Sequence, residues 1–225
     1  MKKYFILILT VFTSLFLTSC IYINDSTSVK VVFVSRMLDT YNIKTVAVLP
    51  MIPDDTTGSG TFFSTNHLYI ILYDDYPSLG LANIDWIREY NDSIISEEIK
   101  NIKTLKRFDE DAFYNSDLGY NLLNEGVDAV LIGTIDTVEN SDGIYLDLNT
   151  KSIQRGWVTS CSFTYFLVAL NDGRILWAAN CKSNAINPMT NYHIEEYPPF
   201  DAAISNGIDE MVELLPGEIF KREDE

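Results

Sequence analysis

The chain has 225 residues, with 32 acidic against 16 basic side chains and a formal charge of −16. A surface this negative, with no basic stripe to relieve it, repels nucleic-acid phosphates and anionic headgroups, and excludes nucleic acid as a partner. An apolar fraction of 47% with 12% aromatics excludes a disordered chain, and one domain of about 200 residues buries roughly 70% of its unfolded surface.

Lys2 and Lys3 precede an apolar run of 14 residues, Tyr4 to Leu17. That run is too short to span a bilayer as a mature helix and has the length of a secretory signal. It closes on Leu17-Thr18-Ser19-Cys20: an apolar residue, two small residues, then Cys. This resembles the lipobox of bacterial lipoproteins. The resemblance implies cleavage before Cys20 and acylation, with palmitate among the chains, of its thiol and new amino terminus. The alternatives are an ordinary signal peptide with an incidental Cys, or an uncleaved anchor. Residues 1–19 carry two lysines and no acid, so their removal leaves 206 residues with a charge of −18. Each buried methylene adds about 0.8 kcal/mol of membrane affinity, so two or more chains anchor stably, and the lipid rather than electrostatics holds the protein at a membrane. Ile21, not Asp, follows Cys20, which by resemblance to lipoproteins of two-membrane bacteria implies the outer membrane, facing the periplasm.

Residues 20–42 read as the lipidated Cys and a tether, polar at Asn24-Asp25-Ser26-Thr27-Ser28; Val29 to Val34 is either a strand or part of that tether. A single domain then spans 43–218, with an acidic tail at 219–225. Ile43 to Pro50 is a short β-branched strand stopped by proline. Residues 51–83 form a long connection, opening on Asp54-Asp55-Thr56-Thr57-Gly58-Ser59-Gly60 and then carrying Phe62, Phe63, Tyr69, Tyr73 and Tyr76. Connections of this length are functional or hold their own secondary structure.

Ile84 to Ile102 repeats isoleucine at helical spacing, and a short strand follows near 104–108. The next helix runs from about Ser116 to Glu125, with Leu118, Leu122 and Leu123 inward and Gly126 as its left-handed stop. Val127 to Ile135 is a buried strand. Gly156 to Leu170 and Arg174 to Lys182 form a hairpin turned by Asn171-Asp172-Gly173. Phe200 to Leu215 is the last helix, with Ile204, Ile208, Met211, Val212 and Leu215 on its inner face and Pro216 at its end. The order predicts an α/β fold: a three-layer mixed β-sheet, partly parallel, with helices on both faces and an antiparallel hairpin in the C-terminal half.

Three segments, Val46 to Pro50, Glu125 to Ile135 and Leu167 to Trp177, together resemble the periplasmic domain of CsgG-type lipoproteins. That group includes the curli secretion channel subunit and the penicillin-binding-protein activator LpoB. The resemblance covers most of 43–215 and implies scaffolding, partner activation or secretion without catalytic residues. The long aromatic connection at 51–83 departs from the compact pattern of the group.

The residues that carry chemistry are sparse. The two histidines, His67 and His193, fall in predicted loops with no paired spacing. Asp136, Glu139 and Asp142 lack the spacing of a calcium loop and read as a solvated acidic loop. Asp109-Glu110-Asp111 reads as a helix entrance. Gly58-Ser59-Gly60 reads as a hinge, and no serine elbow is present. Trp86, Trp157 and Trp177 read as core, and Glu195 and Glu196 as either a recognition loop or a connector. No metal, cofactor or catalytic residue is predicted, and the chain is not expected to be an enzyme. Cys161 and Cys181 are either a disulfide or two buried thiols, and hairpin arithmetic puts them within about two residues of opposition. Phe62, Phe63, Tyr69 and Tyr73 are candidates for an interface, rimmed by Asp54, Asp55, Asp74 and Asp75; the alternative is that Phe62, Phe63, Leu68 and Ile71 cover one edge of the sheet.

The expected function is that of a lipid-anchored envelope protein acting as a non-catalytic accessory or scaffold through protein–protein binding. Its partners are the membrane, through the lipid, and other envelope proteins, with a homo-oligomer as a further option. The alternatives are a subunit of a CsgG-like secretion channel, or a solute-binding or enzymatic domain without a visible motif.

Overall fold

The computed structural model describes residues 27–51, 61–82, 117–147, 151–189, 196–217 and 219–220. Cys20, the loop 54–60, the isoleucine helix with Trp86, the strand near 104–108, the acids 109–111, His193, Glu195 and the tail from 221 lie outside the described residues, as do the side chains of Phe62 and Phe63.

Six strands form one open sheet: β1 (Ser28–Val34), β2 (Thr45–Val48), β3 (Gly80–Leu81), β4 (Ala129–Asp147), β5 (Ser152–Ala169) and β6 (Ile175–Pro188), in the order β1-β6-β5-β4-β2-β3. β2 runs parallel to β3 and β4, and the other three pairings are antiparallel. The sheet is therefore mixed, as the element order predicts. Period-2 alternation sends two apolar sets to opposite faces. Val46, Val48, Phe163, Tyr165, Trp177, Ala179 and Cys181 point to one face; Ala47, Leu49, Val130, Ile132, Phe166 and Val168 point to the other.

Helices α1 (Thr61–Asp75) and α3 (Phe200–Val212) pack on the first face, and α2 (Asp117–Asn124) on the second. The inner stripe of α3 is Ala203, Ile204, Gly207, Ile208, Met211 and Val212, all buried. α1 and α3 are tied together by His67 Nε2 and Asp209 Oδ1 at 2.8 Å and by the Tyr76 hydroxyl donating to the Val212 carbonyl at 3.1 Å. α2 ends as predicted. Gly126 has φ +72, and its N–H and that of Val127 donate to the carbonyls of Leu123 and Leu122 at 3.1 and 3.0 Å, the two bonds of a Schellman stop.

Several expectations change. Ser28–Val34 is a strand in the sheet, not tether, so the folded body begins before residue 43, and Ile219 and Phe220, expected in the acidic tail 219–225, are buried in the core. The connection 51–83 contains α1 and β3. His67 is therefore helical, not in a loop. Leu123 does not face inward but is 43% exposed. Asp136, Glu139 and Asp142 are not in a loop. They lie within β4, which pairs with β5 from Ala129 through Asp147 around a bulge at Ile135/Thr137. Asp136 Oδ2 accepts from the Thr164 hydroxyl at 2.8 Å.

Candidate functional site

One end of the sheet carries an open cleft of about 410 Å³, lined by Thr40, Tyr41, Asn42, Ile43, Leu123, Val127, Asp128, Leu170 and Asn171. Its walls follow from local chemistry. A 3-10 turn at Leu38–Thr40 buries Leu38 and swings Tyr41 out toward the β5–β6 turn. There the Tyr41 hydroxyl donates to Asp172 Oδ2 at 2.6 Å. Asp172 also pairs with Arg174 Nε at 3.2 Å and accepts the Arg174 N–H at 3.2 Å. Gly173 takes φ +64 to close the turn, the conformation for which that position favours glycine. The floor is held by Asp128, whose Oδ2 accepts the backbone N–H groups of Lys44 and Thr45 at 2.8 and 3.0 Å.

The electrostatics are those of a structural clasp. The Tyr41 hydroxyl is held above its ordinary pKa, first by burial and then by its bond to Asp172, so it stays a protonated donor. Asp128 and Asp172 spend acceptor capacity on backbone and side-chain donors of the protein itself. What remains open to a ligand is apolar surface mainly from Ile43 and Leu123, over the buried Val127 and Leu170, with the exposed amides of Asn42 and Asn171 available for hydrogen bonds. This chemistry suits the side chains and backbone of a bound segment. The cleft volume lies within the range of small-ligand sites.

None of the candidate interface or cysteine residues read from the sequence lines this cleft. Tyr69 and Tyr73 sit on α1, on the other side of the sheet from α2. Tyr69 packs partly against the core and Tyr73 is 67% exposed. Trp177 is buried, and Trp157 stacks edge-on against Tyr197 at 5.2 Å. The cleft itself was signalled only by Asn171-Asp172-Gly173, whose turn chemistry hides a second use of Asp172.

Cys161 and Cys181 lie in the core beneath α3 as free thiols. Cys161 is opposite Ser183, and Phe163 is opposite Cys181, so the cysteines are diagonal neighbours offset by two residues. Side chains at such diagonal positions are roughly 7–8 Å apart, beyond the usual disulfide range. Burial, the first cause, pushes both thiols from 9.0 to about 12. For Cys161 the neighbouring Cys181, Asp136 and Asp201 add to this. The expected result is two titratable thiols in denaturant without reductant, and slow alkylation of the folded chain at pH 8. A third thiol would mean that Cys20 is unblocked, and none would mean a disulfide. The unfolded thiols ionise near 9 while the folded ones keep their protons to near 12. This contribution to stability is present below pH 9 and lost as pH rises toward 12.

No protein-family model matches the chain, and no curated protein matches it. Solved structures do. The PelC dodecamer from Paraburkholderia phytofirmans is 10% identical with a TM-score of 0.46, the match covering 88% of this chain and 100% of that one. Lipoprotein GNA1162 from Neisseria meningitidis is 15% identical with a TM-score of 0.42, over 76% and 96%. The hypothetical protein CT253 from Chlamydia trachomatis is 11% identical with a TM-score of 0.47, over 79% and 98%. At these identities and scores the likenesses carry no information about what the chain does.

Proposed function

We propose that the chain is a lipid-anchored envelope protein, held at the outer membrane and facing the periplasm, whose α/β domain acts as a non-catalytic accessory by binding another protein. This is the kind of work done by the CsgG-type lipoproteins it resembles in sequence pattern. The observation that carries the reading is the run Leu17-Thr18-Ser19-Cys20 at the end of an apolar stretch of signal length. Two features of the domain support the binding half. The charged groups of the cleft are committed to the protein's own donors, which leaves a recognition surface. On the opposite side of the sheet, α1 presents Ile70 and Tyr73, 57% and 67% exposed, three residues apart on one helix face.

The test uses substitutions that separate binding from folding. Ile70→Ala with Tyr73→Ala should leave the unfolding midpoint within about 0.5 kcal/mol of the parent, because both side chains are largely solvated. The same pair should weaken association with the partner by at least about tenfold, as expected for an aromatic anchor. A large drop in melting temperature with association intact would assign these residues to packing and remove α1 from the interface.

A further inference from the structure

From the edge strand we infer a membrane-docking surface: β1 and the turn that follows it lie against the lipid headgroups, so that the domain rests on the bilayer and does not swing on its tether. The inference rests on the proposed acylation of Cys20. β1 is one of the two edge strands of the sheet; Ser28 and Lys30 are exposed in its first half, and an exposed apolar run follows. Val32, Phe33, Val34 and Met37 are 46, 39, 52 and 46% exposed. Lys30 and the bulge between Val31 and Phe33 blunt part of this edge; the exposed β-branched, apolar run that follows is the liability that soluble domains ordinarily cover.

Two observations favour a lipid surface as the occupant. The first is chain continuity. Cys20 precedes Ser28 by eight residues, which reach at most about 28 Å when fully extended. An acylated Cys20 therefore holds the start of β1 within about 28 Å of the bilayer, so this edge can reach it. The second is charge. The sequence shows no basic stripe, but in this acidic chain the β1–β6 pairing and the Arg174–Met37 contact bring exposed Lys30, Arg36, Arg174 and Lys182 to one edge, a local exception to the expected repulsion of anionic headgroups. Lys182 lies opposite Ser28 and Lys30 opposite Asn180 in the β1–β6 register, and Arg174 reaches Met37 Sδ at 2.9 Å. The acids close by are Asp39, Asp172, which is paired with Arg174, Asp136, which accepts from Asn180 Nδ2 at 3.4 Å across from Lys30, and Glu210, near Cys181 across from Val29. Apolar side chains ringed by cations fit the interface of a bilayer containing anionic lipid.

The experiment places the photo-crosslinker p-benzoylphenylalanine at Phe33, at Met37 and, as a control on the other side of the molecule, at Tyr73. Each acylated full-length protein is reconstituted in vesicles of phosphatidylethanolamine with phosphatidylglycerol, and Cys20 acylation is checked by mass spectrometry on the same sample. Docking predicts lipid adducts at 33 and 37 and none above background at 73. It also predicts a several-fold lower yield when Lys30→Glu and Arg36→Glu are combined. Adducts at 33 and 37 to a second copy of the chain overturn the inference and assign the edge to strand pairing between copies. An acylated Cys20 without lipid adducts overturns the docking and leaves the anchor standing. An unmodified Cys20 removes both.

Discussion

Replacing Phe163 by Ala should lower the stability of the domain by about 3–5 kcal/mol, the range for emptying a large aromatic site in a packed core. Phe163 is fully buried on β5, its ring edge-on to Tyr165 with centroids 6.1 Å apart at 88°. The strand is held on both sides, opposite Ile135 of β4 and Cys181 of β6. The walls therefore cannot move in to fill the void, and the cost falls at the upper end of the range. Against a typical total of about 5–15 kcal/mol, this leaves a marginal fold. Urea midpoints measure it, with Ile153→Ala as control. Ile153 is 70% exposed and should shift stability by less than about 0.5 kcal/mol. A loss at Phe163 as small as that control would mean that α3 does not seat on this ring.

The second large effect is expected where α3 touches the same ring. A glycine inside an exposed helix gains about 1 kcal/mol on becoming alanine. Gly207 is not such a glycine. A Cβ there would stand 2.6 Å from Cys181 Sγ and 2.6 Å from Phe163 Cζ, so the helix must lift from the sheet or the ring must leave its rotamer. Overpacking of this kind costs about 1–3 kcal/mol, occasionally more. Gly207→Val, whose branched side chain adds two further carbons, should reach about 3 kcal/mol. The contact has its own signature in a double-mutant cycle. With Phe163→Ala in place, Gly207→Ala should cost less than it does alone, with a coupling of about 0.5–3 kcal/mol. Additive losses would contradict the approach of α3 to Phe163.

What could be read from the chain and what could not divides along physical lines. The strands at 43–50 and 127–135, the hairpin turned at Gly173, the stop at Gly126 and the inner stripe of α3 carry local signals: β-branched runs, turn residues tolerant of positive φ, and a clean helical period. α1 carried none. Leu68 to Tyr73 are six apolar residues in succession, so the helix has no polar face to create a period. Its orientation comes from tertiary packing, which buries Leu68 and Leu72 and leaves Ile70 and Tyr73 outside. β1 was ambiguous for a related reason. Its pairing partner, β6, lies some 150 positions away in the chain, and an edge strand with exposed apolar residues lacks the alternation that marks a half-buried one. The cleft was hidden because its polar residues, Tyr41, Asp128 and Asp172, come from three distant segments joined only by the fold. Leu123 faces solvent where helical spacing points it inward, since the short α2 buries only Leu118 and Leu122.

The lipid anchor is tested directly by mass spectrometry of the N-terminal peptide of the protein purified from membranes. The expected chain begins at Cys20 and carries acyl groups on its thiol and amino terminus. A mature chain that begins elsewhere, or an unmodified Cys20, would contradict it.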